Sequence, residues 1–388
     1  MLGSRLAPVA ALAAWLCVCA FGGSDTERGH VQKLKLTDER IVVSGLPWFK
    51  ENKGIPLRLP LRSKETFREK LWEQARCTSG ARIRFRTNSL TVEVVGSVIP
   101  RIMYDMPMTG SCGVDLYVDG VYVGNAVPDA TGKIENLRKV GPWIIGRARE
   151  MRDVTIYLPL YSEAKIDEIR LDQTARVEPP TPFANPKPVV FYGSSITMGG
   201  CAGNPGVTYP ALLSRWLNVD FVNLGFSGQG LGDESVAKAI TEIDASAVVL
   251  DYWASPNVEG FVRTLPEFVG VIRKKMPATP ILVTGPYYEP ITDFLGAGAA
   301  ETERKRTFAQ GFVKQRREAG DANILFVDGM QMISRETAYG LIDGRHCNSI
   351  GFYFCAKGME PHLRHALGLP GAPPARSEPP APPVPAKP

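Results

Sequence analysis

The feature that most constrains the fold is a change of hydrophobic rhythm at Pro188. From there on, short apolar runs read as strands: Val189 to Tyr192, Val219 to Leu224, Ala247 to Asp251, Ile281 to Thr284 and Ile324 to Val327. Helical stretches lie between them, near Tyr209 to Leu217, Glu234 to Ile243, Glu259 to Lys275 and Glu301 to Arg317. Apolar strands bounded by helices imply a parallel sheet covered on both faces. A last helix, about Gly351 to Ala366, closes this unit, which is expected to span residues 188–368.

Upstream the rhythm is two. Ala81 to Arg86 alternates, with Ile83 and Phe85 on one side and Arg82, Arg84 and Arg86 on the other. Leu90 to Val95, Val154 to Leu158 and Lys165 to Leu171 are further strand-like runs. Asp119-Gly120, set between alternating Val, Leu and Tyr residues, is a hairpin signal, because both residues suit the left-handed backbone of a type I′ turn. The only helical stretch here is about Lys64 to Ala75. Residues 31–175 therefore read as an antiparallel β-sandwich of jelly-roll kind. Residues 176–187, with Pro179, Pro180, Pro182 and Pro186, read as a stiff linker packed into neither neighbour. Residues 369–388, rich in Pro and Ala, read as a disordered tail.

The ends and the composition narrow the function. Arg5 followed by the apolar run Leu6 to Phe21 and small residues reads as a signal peptide over residues 1–22. The run is short for a membrane span, no later segment is apolar enough to cross a bilayer, and Cys17 and Cys19 lack a lipoprotein cleavage box. The expectation is a released protein, secreted or periplasmic, without stable membrane insertion. Its formal charge of +5 over 388 residues, with no basic cluster, argues against nucleic acid as a partner. Cys77, Cys112, Cys201, Cys347 and Cys355 remain after leader removal. Five thiols cannot all pair, their spacing matches no zinc pattern, and one disulfide or two fit equally.

Two short segments carry chemistry. Gly193-Ser194-Ser195-Ile196-Thr197 directly follows the first strand of the parallel sheet, where open α/β sheets place their ligands. Asp343-Gly344-Arg345-His346 lies after the last strand, and its turn brings a carboxylate beside an imidazole. Such a pair can accept a proton from a serine hydroxyl. Taken singly, each segment reads better as a polar turn. Histidine supply favours His346, because the chain has only four: His30 is near the start, and His362 and His365 share a terminal helix face without a third metal ligand. No metal or organic cofactor is expected.

Gly-x-Ser-Ile-Thr at the first strand, Asn223-Leu224-Gly225-Phe226-Ser227-Gly228 after the second, and Asp343-Gly344-Arg345-His346 near the end resemble three blocks of the SGNH/GDSL hydrolases, in the same order. The resemblance covers about Lys187 to Leu367 and is to the branch whose hydrolase domain follows a β-sandwich. It implies a flavodoxin-like α/β sheet, with Ser195 as nucleophile, His346 as base and Asp343 as orienter of the imidazole. It also implies an oxyanion hole from the backbone N–H groups of Ser195 and Gly228 and an Asn side chain.

Two departures stand out. Ser194 replaces the family's Asp before the nucleophile, which predicts altered loop hydrogen bonding rather than lost chemistry. In Asp251-Tyr252-Trp253-Ala254-Ser255-Pro256-Asn257, Asn257 comes about two residues later than the ungapped pattern, where Ser255 stands. Asn257 is the chosen donor, because an amide is the better one. Trp253, Tyr287 and Tyr288 are candidates for the substrate crevice, with loop packing as the alternative. The expected activity is hydrolysis of small acyl esters, acetyl on carbohydrate by analogy with related esterases; a non-catalytic glycan-binding protein is the competing reading.

Overall fold

A computed structural model describes residues 31–129, 131–135, 143–294 and 296–371. The leader-like segment 1–22 and the tail beyond residue 371 lie outside the described residues.

The C-terminal half is a parallel sheet of five strands in the order Val219–Gly225, Asn185–Gly193, Ala247–Asp251, Ile281–Thr284, Ile324–Val327. Every residue of Ala247–Asp251 and Ile281–Thr284 is buried, as strands covered on both faces must be. Helices Tyr209–Leu217 and Ser349–Ala366 pack together, and Glu234–Ile240, Val258–Lys275 and Gly296–Glu318 form a second group. In sequence order the strands run 2-1-3-4-5, the flavodoxin-like arrangement. The first strand pairs with the second on one side and the third on the other. Connections therefore leave its carboxyl end in opposite directions, and a crevice opens there.

The N-terminal part is two antiparallel sheets. One contains Val31–Leu34, Ala164–Asp172, Thr91–Val98 and Lys133–Glu135. The other contains Val177–Glu178, Arg82–Thr87, Arg152–Tyr157, Val114–Val118 and Val121–Ala126. Val92, Val94, Ile169 and Leu171 from the first sheet meet Ile83, Phe85, Leu116, Val154 and Ile156 from the second in one apolar core. The hairpin turn has Asp119 at φ 50° and Gly120 at φ 78°, the left-handed pair that Asp-Gly favours.

Where the halves meet, the expectation of a linker packed into neither neighbour fails, and Arg82, on the side of its strand opposite Ile83 and Phe85, is buried too. That face is covered by the second half: the Arg82 guanidinium pairs with Asp220 and stacks 3.8 Å above the Phe221 ring. The Pro-rich segment is likewise packed on its neighbours. Val177–Glu178 pairs with Arg86 and Thr87, the Thr181 N–H donates to Asp153 at 2.8 Å, and Phe183 lies under Arg84. Prolines disfavour a central strand but not edge pairing or side-chain cover. Pro186 and Pro188 lie where the ladder between Asn185 and Val189 is irregular, so their missing N–H groups interrupt no regular pairing.

The two halves share one core. Phe67, Leu71, Met106, Tyr117 and Tyr161 from the first half belong to the same buried cluster as Val190, Phe221 and Leu250 of the parallel sheet. Within this interface the Asp115 carboxylate accepts from Asn125 at 2.8 Å, Asn204 at 2.6 Å and the Gly206 N–H at 2.7 Å. Burial pushes this carboxyl up to about 6 even against those donors. All five described cysteines are buried free thiols.

Candidate active site

Ser195 stands at the carboxyl end of the first strand, at the switch point. Glycine is required just before it: a Cβ on Gly193 would lie 1.9 Å from the Thr197 hydroxyl and 2.5 Å from the Asp251 carbonyl. Ser194 is buried with extended backbone, and its Oγ accepts the Ile196 N–H at 3.3 Å, capping the one-turn helix Ser195–Met198. A serine thus fills a helix-cap role that an aspartate can also fill. Ser195 is left half-buried, with its hydroxyl 2.8 Å from His346 Nε2.

The far end of the relay is equally tight. His346 Nδ1 lies 2.7 Å from Asp343 Oδ2, and the other carboxylate oxygen accepts the backbone N–H groups of His346 at 2.6 Å and Arg345 at 2.9 Å. Partial burial pushes the Asp343 carboxyl up, but the His346 ring and these two N–H groups outweigh it and hold it at about 2. Asp343 is therefore a carboxylate throughout the neutral range, suited to keep a proton on Nδ1 and a lone pair on Nε2. The loop is braced on three sides. Leu341 bridges to Cys347, the Ile342 N–H donates to the His346 carbonyl at 2.9 Å, and the Tyr287 hydroxyl donates to the Arg345 carbonyl. Arg345 also pairs at 2.7 Å with buried Glu289.

Gly228 is exposed at φ +65°, with open space where a Cβ would point. Its block is anchored from below. Asn223 donates to the Thr197 carbonyl at 2.7 Å and accepts from the Gly225 N–H at 2.8 Å, while the Phe226 N–H donates to the Gly193 carbonyl at 2.9 Å. Asn257 is exposed and caps helix Val258–Lys275, its Oδ1 accepting the Gly260 N–H at 2.8 Å. The amide oxygen is thus occupied, and the NH₂ is the group left to donate. Ser255 is half-buried, and its N–H donates to the Tyr252 carbonyl at 3.3 Å. Lys305 holds this loop by donating to the carbonyls of Trp253 at 3.1 Å and Pro256 at 2.7 Å.

Of the aromatic side chains assigned to the crevice, only Tyr288 is partly exposed. Trp253 and Tyr287 are 3% and 1% exposed and pack edge to face, 5.0 Å apart, beneath the loops. The Trp253 indole N–H donates at 3.1 Å to Asp251, whose carboxylate also receives the Thr197, Tyr209 and Thr284 hydroxyls at 3.0, 2.9 and 2.6 Å. The burial of that carboxylate explains why aromatic residues here turn inward: Trp253 serves it as a donor. His362, on the terminal helix, contacts Gln331 at 2.7 Å.

The first half contributes side chains that no local motif flagged. The Tyr161 hydroxyl donates to the Ser195 carbonyl at 3.5 Å. Arg58, fully buried, donates to the carbonyls of Cys77 at 2.8 Å, Gln74 at 2.6 Å, Asn223 at 3.2 Å and Gly225 at 2.5 Å. Asp105 reaches the Cys201 thiol near His346. Nothing within a few residues of these positions could announce contacts across to the second half, 34 residues away for Tyr161, 96 for Asp105 and 165 and 167 for Arg58.

A flavodoxin-like sheet thus carries a serine, an imidazole and a carboxylate hydrogen-bonded in series at its switch point. Residues 186–364 match the model of the GDSL-like lipase/acylhydrolase family, and residues 33–177 match the N-terminal domain of SGNH hydrolase-type esterases, named for a GxDLY motif. The chain belongs to the SGNH/GDSL hydrolases, in the branch with an N-terminal β-sandwich, and it is an ester hydrolase. The motif is present as Gly113-Val114-Asp115-Leu116-Tyr117, whose Asp115 makes the interface bonds described above. A GDSL-like lipase from Bacteroides ovatus ATCC 8483 is 26% identical, with TM-score 0.79, covering 89% of this chain and 100% of its own. SsfX3, a salicylyl-acyltransferase from a tetracycline biosynthetic pathway, shares the fold at 24% identity and TM-score 0.72, covering 88% of this chain and 99% of its own. A family two carbohydrate esterase from Clostridium thermocellum, in complex with cellohexaose, shares it at 16% identity and TM-score 0.55, covering 75% of this chain and 93% of its own. No curated protein matches the sequence. Among the described residues, no helix is long and apolar enough to cross a membrane.

Proposed function

We propose that the protein is an exported serine esterase that removes small acyl groups, acetyl foremost, from carbohydrate. The observation that carries this reading is the continuous relay of 2.8 Å from Ser195 to His346 and 2.7 Å from His346 to Asp343. Ser195 Oγ attacks the ester carbonyl as its proton passes to His346 Nε2, and the Asp343 carboxylate stabilises the imidazolium. Negative charge then develops on the carbonyl oxygen, and the N–H groups of Ser195 and Gly228 with the Asn257 amide are the donors assigned to it. The tetrahedral intermediate expels the alcohol, which takes the proton from Nε2. Water repeats the sequence on the acyl-enzyme and frees the acid.

The carbohydrate part rests on the β-sandwich fused to the catalytic fold and on the fold shared with carbohydrate esterases. Export rests on the leader-like residues 1–22. Acetate release from acetylated oligosaccharides, assayed beside p-nitrophenyl esters of rising chain length, tests the reading. It expects acetyl esters to be cleaved fastest and sugar acetates to be substrates. A protein that binds the sugars without cleaving any ester would instead be the glycan-binding alternative, which the displaced position of Asn257 favours. Preference for long acyl chains would overturn the acetyl assignment.

A further inference from the structure

Two side chains that have no part in ester hydrolysis stand against the imidazole of the relay. Asp105, Cys201 and His346 bring a carboxylate oxygen, a thiol and a ring nitrogen within 4.8 Å of one another. Asp105 lies on the sandwich loop between strands Thr91–Val98 and Val114–Val118, and Cys201 follows Gly200 in the turn after the nucleophile helix. Both ring nitrogens already serve the relay, Nδ1 at 2.7 Å from Asp343 and Nε2 at 2.8 Å from the Ser195 hydroxyl, so a metal held by either one competes with it. Cys201 is buried, forms no disulfide, and its Sγ already stands 3.5 Å from Asp105 Oδ2. Among the described residues no lysine or arginine forms an ion pair with Asp105; its hydrogen-bond donor is that thiol. A carboxylate set against a thiol and an imidazole, without a counter-cation, is a soft, negatively biased cage.

We propose that this triangle is an inhibitory site for a thiophilic divalent cation, with zinc as the type. Tetrahedral zinc with sulfur at about 2.3 Å and nitrogen or oxygen at about 2.0–2.2 Å sets its ligands about 3.4–3.6 Å apart. The Cys201–Asp105 pair already has that spacing at 3.5 Å, and the remaining distances, within 4.8 Å, close by about 1.4 Å at most. On binding, the Cys201 thiol releases its proton to solvent and its sulfur coordinates the metal. An imidazole lone pair goes to the metal too: either Nε2 itself is taken, or ligation through Nδ1 moves the ring proton to Nε2, and in both cases the Ser195 hydroxyl loses its proton acceptor. The fourth position is left for water or the Ser195 oxygen. Because Asp105 belongs to the sandwich domain, the inhibited state would also pin that domain's loop over the relay.

Calorimetric titration of the metal-free protein with zinc, and optical titration with cobalt(II), test this without reference to any substrate. One ion per chain is expected, with a thiolate-to-cobalt charge-transfer band in the near ultraviolet. Ester hydrolysis should fall in step with occupancy and return on adding EDTA. Cys201→Ser should lose the charge-transfer band, and Asp105→Asn should weaken binding. In each variant, the zinc needed to halve its own metal-free rate should rise at least about tenfold, the loss that removing even an outer-shell partner produces. Absence of stoichiometric binding overturns the proposal, as does a charge-transfer band retained in Cys201→Ser. Binding abolished by His362→Ala but intact in Cys201→Ser would place the ion elsewhere and overturn it too. If metal binds as expected to a protein that cleaves no ester, the proposed activity fails and the site stands.

Discussion

Replacing Arg58 by Met should cost about 3–5 kcal/mol of stability, because several buried carbonyls lose their donor at about 1–3 kcal/mol each. The side chain is fully buried and its guanidinium meets no carboxylate; four backbone carbonyls and the Phe226 ring surround it. Burial pushes the guanidinium down to about 10, which leaves it charged at neutral pH. A hydrogen bond from a charged donor contributes about 1.5–3 kcal/mol, so four offset the several kcal/mol lost in dehydrating the cation. Methionine nearly fills the space but donates nothing, and each carbonyl left without a partner costs about 1–3 kcal/mol. Because two of those carbonyls, on Asn223 and Gly225, lead into the Gly228 block, kcat should fall along with stability. In thermal melts the transition should drop by roughly 6–20 °C, at about 2–4 °C per kcal/mol. Arg58→Lys should be nearly as damaging, since one ammonium cannot span carbonyls that a planar fork reaches. A shift under about 1 kcal/mol in Arg58→Met would refute the idea that this cation ties the two halves together.

Three further outcomes follow from the same geometry. Asn257→Ala should lower kcat by roughly 10²–10³ with little change in KM, and Ser255→Ala should cost less than about tenfold; steady-state kinetics on one acetyl ester compare them, and the reverse order would assign the third donor to Ser255. Tyr287→Phe removes the hydroxyl that holds the Arg345 carbonyl, so stability should fall by about 1 kcal/mol and kcat with it; unchanged kcat would show that the loop holds itself. Asp115 has a folded-state pKa raised to about 6, so between pH 3.8 and that value the unfolded chain has released a proton that the folded one keeps. Stability from this position therefore falls as pH rises, by about 3 kcal/mol across the window, and wild type should lose ground to Asp115→Asn between pH 4 and pH 7 in paired melts. A difference that is constant with pH would contradict the raised value.

The α/β half was legible because its signals are local. Tyr209–Leu217 and Ala247–Asp251 have the bounds that their apolar periodicity gives, and the 2-1-3-4-5 order sets Ser195 at the crevice such motifs occupy. Asp343 and His346 were readable because one tight turn carries both. What the sequence did not disclose is the interface. Arg82 alternates like a solvent-facing residue, and only a second domain laid over that face makes it buried. Trp253 and Tyr287 look like crevice aromatics until the buried Asp251 carboxylate and the Arg345 carbonyl claim their polar ends. Asp105, Arg58 and Tyr161 act on loops far along the chain, and periodicity holds no information about such pairs.

The central claim is that Ser195 is the nucleophile of an esterase. Incubation with a fluorophosphonate followed by intact-mass and peptide mass spectrometry tests it most directly, with Ser195→Ala and Ser194→Ala as companions. One adduct per chain is expected, on Ser195, in the wild type and in Ser194→Ala. None is expected in Ser195→Ala, together with loss of ester hydrolysis at an unchanged melting temperature. An adduct on Ser194 or elsewhere, or wild-type turnover by Ser195→Ala, would contradict it.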